Sequence, residues 1–269
     1  MTIKDYRKRK ISERADYLSD VFADGDMTNL EAIAASELLS VYFDHYEDSF
    51  DGMLVHNGHQ FHIHINLDKG NTPTSKRGRF SLAHEYGHYF ITEHRIGLKY
   101  GLLESHPSFN SLNHEALIEL EADYFASCLL MPFAKYKAFT AKKDFSFDLI
   151  HAISDHFQTS LMAVILRFTE AGTREFMVVI SKQNIVKWFA KSDDFPKFAF
   201  KFKVGQAVPA NTLTVSFYNK EEAPLQSLIH DNDPDNWFWI NDSRGNRTFY
   251  EQYYYSDINN YLVTLLWFE

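Results

Sequence analysis

The feature that most constrains this chain is His84-Glu85-Tyr86-Gly87-His88, preceded by Arg79-Phe80-Ser81-Leu82-Ala83 and followed by Tyr89-Phe90-Ile91. Two histidines four apart on a helix project from one face, so both imidazoles reach a single metal ion. Glu85 lies about 100° further round the helix, where it faces a water beside the metal without ligating the ion. Phe80, Leu82, Ala83, Tyr86, Phe90 and Ile91 give the same helix extensive apolar surface. A helix buried to that extent rarely carries three polar groups without partners. The spacing therefore predicts a metal site in which Glu85 acts as general base.

A third ligand is expected from Leu117-Ile118-Glu119-Leu120-Glu121-Ala122-Asp123-Tyr124-Phe125-Ala126-Ser127-Cys128-Leu129-Leu130, a second long apolar helix stopped by Met131-Pro132. Glu119 and Asp123 share a face of that helix. Glu119 completes a His, His, Glu set with one position left open, the ligand pattern of catalytic zinc. Asp123 is then placed to accept the spare ring N–H of a ligating histidine and fix its tautomer. Glu121 points elsewhere and is expected to be solvated or paired.

Together, Arg77-Gly78-Arg79-Phe80-Ser81-Leu82-Ala83-His84-Glu85-Tyr86-Gly87-His88 and the block from Glu119 to Pro132 resemble the ImmA/IrrE family of zinc metallopeptidases. The resemblance covers roughly residues 27–170. It implies a gluzincin-like domain binding one Zn2+, with His84, His88 and Glu119 as ligands and Glu85 as the catalytic base. It also implies a protein substrate, a helix-turn-helix transcriptional repressor, cut to release the genes it silences. Members of the family often have Asn where this chain has Asp123.

Composition bounds the rest. A chain of 269 residues buries a real core and accommodates one large domain or two modest ones. A net charge of −9 argues against a nucleic-acid partner. The single cysteine, Cys128, excludes an internal disulfide and sits within an apolar helix as a small core residue. The charged start Met1-Thr2-Ile3-Lys4-Asp5-Tyr6-Arg7-Lys8-Arg9-Lys10 lacks a following apolar stretch, and no apolar run approaches roughly 18 residues. A cytoplasmic protein with no membrane partner is expected.

In chain order, residues 2–20 predict an amphipathic helix with a basic, solvated patch at Lys4, Arg7, Lys8, Arg9 and Lys10. Thr28 is placed to cap a second helix through Leu39. Asn57-Gly58 is a hairpin signal between the strands 52–56 and 59–66. Phe61, Ile63 and Ile65 alternate with His62 and His64 along the second strand. The two histidines belong to a polar face and are candidates for substrate binding, with that strand expected at the edge of the sheet. Pro73 suits the first turn of the active-site helix behind Thr72, and residues 94–110 read as a loop on the cleft rim. His94, His106 and His114 each qualify as an oxyanion partner, and spacing does not choose among them.

After Pro132, helices are expected at 133–142, 146–157 and 160–170, the last two arranged like a helix-turn-helix. The second of that pair, Leu161-Met162-Ala163-Val164-Ile165-Leu166-Arg167-Phe168, is too apolar to read base edges and predicts core packing instead. From Gly172 the pattern turns to strands, at 176–180, 185–189, 212–218, 236–240, 247–255 and 261–268.

The chain is thus expected to be α+β. A helical zinc-metallopeptidase domain with a small β-sheet would span residues 1–171, followed by a β-rich C-terminal domain over 172–269. The reading that follows is a zinc-dependent endopeptidase. One alternative is a metal-containing regulatory protein that sequesters a repressor without cutting it. Another is a DNA-binding regulator using residues 146–170, against which both the acidic charge and the apolar second helix argue.

Overall fold

The computed structural model describes residues 3–103, 107–108, 116–171, 174–220, 223–240, 247–257 and 260–269. It is mixed α+β, and its C-terminal region is rich in β structure. The chain forms two compact units, one of Met1–Lys142 with Ala152–Val164, the other of Lys143–His151 with Ile165–Glu269.

The first unit opens with α1 (Asp5–Val21), the short strands β1 (Ala23–Asp24) and β2 (Met27–Thr28), and α2 (Leu30–Ser36). The cap of α2 is Asn29, whose side chain accepts from Ala32 N at 3.0 Å. Thr28 instead donates to the Leu129 carbonyl at 2.7 Å. Arg7 also departs from the expected solvated patch. It lies against Glu121 through bonds of 2.8 and 2.7 Å and against Glu93 at 2.8 Å.

A three-stranded sheet follows, in the order β3 (Ser40–Asp44), β5 (Phe61–Asn66), β4 (Gly52–His56). The hairpin from β4 to β5 forms as Asn57-Gly58 predicts, with Asn57 Oδ1 accepting from the amides of His59 and Gln60 at 3.0 Å. The register pairs Leu54 with Ile63 and Met53 with His64. On its other side β5 runs parallel to β3, Tyr42 opposite His64. The strand expected at the edge is therefore the central one. Its backbone groups are committed on both sides, and the edge nearer the helices belongs to β4.

The helices α3 (Lys76–Phe90), α4 (Thr92–Lys99) and α5 (Leu117–Leu130) complete the core of this unit. Ser75, not Thr72, caps α3, accepting from Gly78 N at 2.9 Å. Of the stretch 94–110, expected as a loop, the first residues, 94–99, belong to α4. Ile63, Ile65, Ala83, Tyr86, Phe125, Cys128 and Leu129 are fully buried together. α3 and α5 cross closely because position 87 has no side chain: a β-carbon on Gly87 would lie 2.9 Å from the Ala122 α-carbon. Beyond them run α6 (Phe133–Thr140), α7 (Phe147–Phe157) and α8 (Leu161–Ala171), with the boundary between the units passing through α7 and α8. Val164, Ile165 and Phe168 of α8 are buried, consistent with core packing.

In the second unit a five-stranded antiparallel sheet has the order β7 (Ile185–Lys191), β6 (Phe176–Lys182), β12 (Tyr261–Phe268), β11 (Phe249–Ser256), β9 (His230–Asp231). The central strands β6 and β12 are buried along nearly their whole length, which accounts for their continuous apolar sequence. A small ribbon joins β8 (Ala199–Phe200) to β10 (Phe238–Trp239). Residues 212–218, expected as a strand, form α9 (Leu213–Tyr218). Thr212 caps this helix by accepting from Val215 N at 3.2 Å. Glu251, fully buried, accepts the amides of Leu213 at 3.0 Å and Thr214 at 2.9 Å at the start of the helix. No single helix among the described residues is long and apolar enough to cross a membrane.

Candidate metal centre

α3 and α5 bring His84, His88 and Glu119 together, all three buried. Their ligand atoms lie within 4.8 Å of one another. The Nε2 atoms of the histidines are 3.1 Å apart, and each faces one Glu119 oxygen, at 3.3 Å for His84 and 3.2 Å for His88. The i, i+4 spacing supplies the two imidazoles, and the Gly87–Ala122 crossing brings the carboxylate to them.

Asp123, one turn beyond Glu119, takes the other ring nitrogen of His84, with Oδ1 2.8 Å from Nδ1. That contact leaves His84 Nε2 directed at the donor cluster. Burial opposes a charge on His84, yet Asp123 and Glu119 outweigh it and hold the imidazole well above its usual pKa. A pocket that favours a proton there also favours a cation. Two imidazoles and one carboxylate, buried and converging, fit a divalent metal.

Glu85 is 1 % exposed, and neither of its oxygens has a hydrogen-bond partner among the described residues. Burial pushes its carboxyl above the usual range, while the nearby His84 and His88 pull it back. Gly52, the first residue of β4, lies directly on it: a β-carbon at 52 would sit 2.7 Å from Glu85 Oε1. Ser108 is bridged to the same place, its amide donating to the Gly52 carbonyl at 2.9 Å and its carbonyl accepting from Asp51 N at 2.8 Å. The Ser108 hydroxyl is near enough to favour the charged form of Glu85 but falls outside hydrogen-bond geometry.

Asp51 is itself fixed. Its carboxylate accepts from Arg77 Nη2 at 2.7 Å and from Asn71 Nδ2 at 3.0 Å, and Ser81 donates to Asn71 Oδ1 at 3.0 Å. The start of β4 is thus tied back to α3 by a buried polar network. Gly52, Ser108 and Asp51 are not among the residues the motif nominates. An Asp-Gly pair at a strand start was the one visible sign of the first and last.

Glu121 is buried and paired. Besides Arg7 it meets His94 Nε2 at 3.0 Å. The His94 ring packs against that of His88, centroids 5.4 Å apart. Burial holds His94 down to about 4, so the ring is neutral near pH 7. His106 and His114 lie outside the described residues. His62 and His64 are not brought to the cluster. They lie on the sheet face opposite buried Ile63 and Ile65, with His64 stacked on Tyr42 and its Nδ1 2.8 Å from the Tyr46 hydroxyl.

Two histidines from α3 and a glutamate from α5 form a donor set of the kind metallopeptidases use, and comparison with known proteins points to the same class. Residues 43–169 match the family model for the IrrE N-terminal-like domain, Peptidase_M78. Over those residues the match agrees with the resemblance carried by the two sequence blocks. No curated protein matches the chain significantly. Among solved structures, a Mycobacterium tuberculosis transcriptional regulator aligns over 97% of this chain and 78% of its own, with TM-score 0.62 and 14% identity. At that identity the likeness is one of fold.

Proposed function

We propose that this chain is a zinc-dependent endopeptidase acting on a protein in the cytoplasm, with a helix-turn-helix transcriptional repressor as its substrate. The observation that carries the reading is Glu85, a buried carboxylate without a hydrogen-bond partner among the described residues, one residue from a metal-capable donor set. Structural metal sites have no use for such a group. A hydrolytic one uses it as the base that takes a proton from water.

In this reading His84, His88 and Glu119 hold the zinc and Asp123 fixes the His84 ring. When bound, zinc supplies a Lewis acid that polarises the scissile carbonyl and acidifies a water. Glu85 accepts the proton of the attacking water and delivers it to the departing amine. Burial, by raising the Glu85 pKa, makes it a better base than an exposed carboxylate. An extended peptide adds to the outer edge of β4 beyond the Gly52–Ser108 bridge, and not to β5. Residues 1–171 carry this chemistry, and 172–269 form a β-rich domain. The repressor assignment draws support from the family of the domain and from the regulator that shares the fold.

The test is Glu85→Gln. The variant should retain zinc and lose cleavage, because Glu85 is not a ligand. Comparing proteins cut in the native host by wild type and by this variant identifies the substrate. Equal regulation of the target by both forms would instead favour sequestration without cutting.

A further inference from the structure

We infer that Ser108 is a positioning residue for Glu85, its hydroxyl anchoring the carboxylate beside the metal donors. The inference rests on the peptidase reading above and extends it to a residue outside the motif. Three observations converge. Ser108 is 5 % exposed, and its hydroxyl finds no hydrogen-bond partner among the described residues. Its backbone is bridged on both sides to Asp51 and Gly52, so the hydroxyl cannot drift away from this corner. Gly52 is the residue whose missing β-carbon leaves room for Glu85 Oε1.

Buried polar atoms without partners are uncommon, and here two residues with such atoms both adjoin Gly52, Glu85 through its carboxylate and Ser108 through its backbone. Glu85 has two acceptor oxygens, and Ser108 has one donor to give. The anchor has a chemical purpose. A carboxylate with no donor holding it, placed next to a divalent cation, swings in and ligates the ion. It then fills the coordination position that a water would need and no longer stands beside that water as a base. A hydroxyl bound to one oxygen keeps the other free and off the metal. The Arg77–Asp51–Asn71–Ser81 network makes this corner rigid, since it fixes the residues to which Ser108 is bridged.

The experiment uses the full chain loaded with Co2+, whose visible absorption reports ligand binding, and acetohydroxamic acid as a probe that needs the free Glu85 oxygen. Ser108→Ala should bind Co2+ with unchanged affinity and bind the hydroxamate about tenfold more weakly, the size of one hydrogen bond to a charged group. Ser108→Thr, which keeps the hydroxyl, should restore it. Gly52→Ala should reproduce the weakening without touching Ser108, because its β-carbon displaces Glu85. Unchanged hydroxamate affinity in Ser108→Ala overturns the inference. So does loss of cobalt in the same proportion, which marks a merely structural role. A wild type that binds no cobalt removes the metal centre and the inference together. If the hydroxamate effect is seen but no protein is ever cut, the inference stands and the peptidase reading falls.

Discussion

Gly87 meets Ala122 where α3 crosses α5, and nothing larger than hydrogen fits between them. On α3 the histidines sit three residues before Gly87 and one after it. On α5, Glu119 and Asp123 sit three before Ala122 and one after it. One contact therefore sets the distance between both halves of the donor set. Gly87→Ala should cost about 1–3 kcal/mol through overpacking, and should weaken zinc retention by moving Glu119 away from the histidines. Melting curves with and without zinc check both effects. Unaltered zinc content would mean that the helices shift sideways without separating.

Substitutions along α5 should divide by partner. Glu119→Ala should remove zinc retention. Asp123→Ala, which leaves the ligands in place but frees the His84 ring, should cost about 10–100-fold in affinity. Glu121→Ala should retain zinc but destabilise the fold by about 3 kcal/mol, since it leaves Arg7 and His94 without their shared carboxylate. Metal analysis and denaturant unfolding of the three variants distinguish these outcomes. Zinc loss in Glu121→Ala matching that in Glu119→Ala would contradict the assignment.

Much of this centre was legible in the sequence because its chemistry is local. The spacing from His84 to His88, and from Glu119 to Asp123, is a helix period written out in residue types. What was not legible depends on contacts made across the chain. Ser40–Asp44 contributes a parallel partner to β5, and without that strand the His62–His64 stretch looks like an edge. Leu213-Thr214-Val215-Ser216-Phe217-Tyr218 is rich in β-formers, yet the carboxylate of Glu251, distant in sequence, collects its first amides and a helix results. Ser108 and Glu85 likewise meet only through the β4 bridge.

His94 gives the stability of the fold a pH dependence. Its pKa of about 4 in the folded chain lies below the ordinary 6.5, so the unfolded chain binds the proton more readily. Full stability is present above pH 6.5. It declines as pH falls through the window between the two values, by up to about 3 kcal/mol at pH 4. His94→Gln should flatten this part of the profile. Identical slopes for the two proteins, measured as melting temperature between about pH 7 and 4, would exclude His94 as the responsible group.

Glu251 should be the most sensitive acid of the second unit. Its Oε1 accepts from the amide and hydroxyl of Thr214, and its Oε2 from Leu213 N, Asn232 Nδ2 and Trp237 Nε1. Glu251→Gln turns an NH2 toward donors on one side and should cost about 3 kcal/mol or more, although its volume is unchanged. Guanidinium unfolding followed by Trp fluorescence measures it. A loss under about 0.5 kcal/mol would mean these donors find other acceptors.

The stretch matched to the peptidase family starts at residue 43, whereas Arg7, which clasps Glu121 two residues from Glu119, belongs to α1. A fragment cut at the family limits would keep every ligand and still strip a cation from the buried carboxylate behind them. For this chain, then, the contacts that brace the candidate donor set reach back beyond the stretch by which the family is matched.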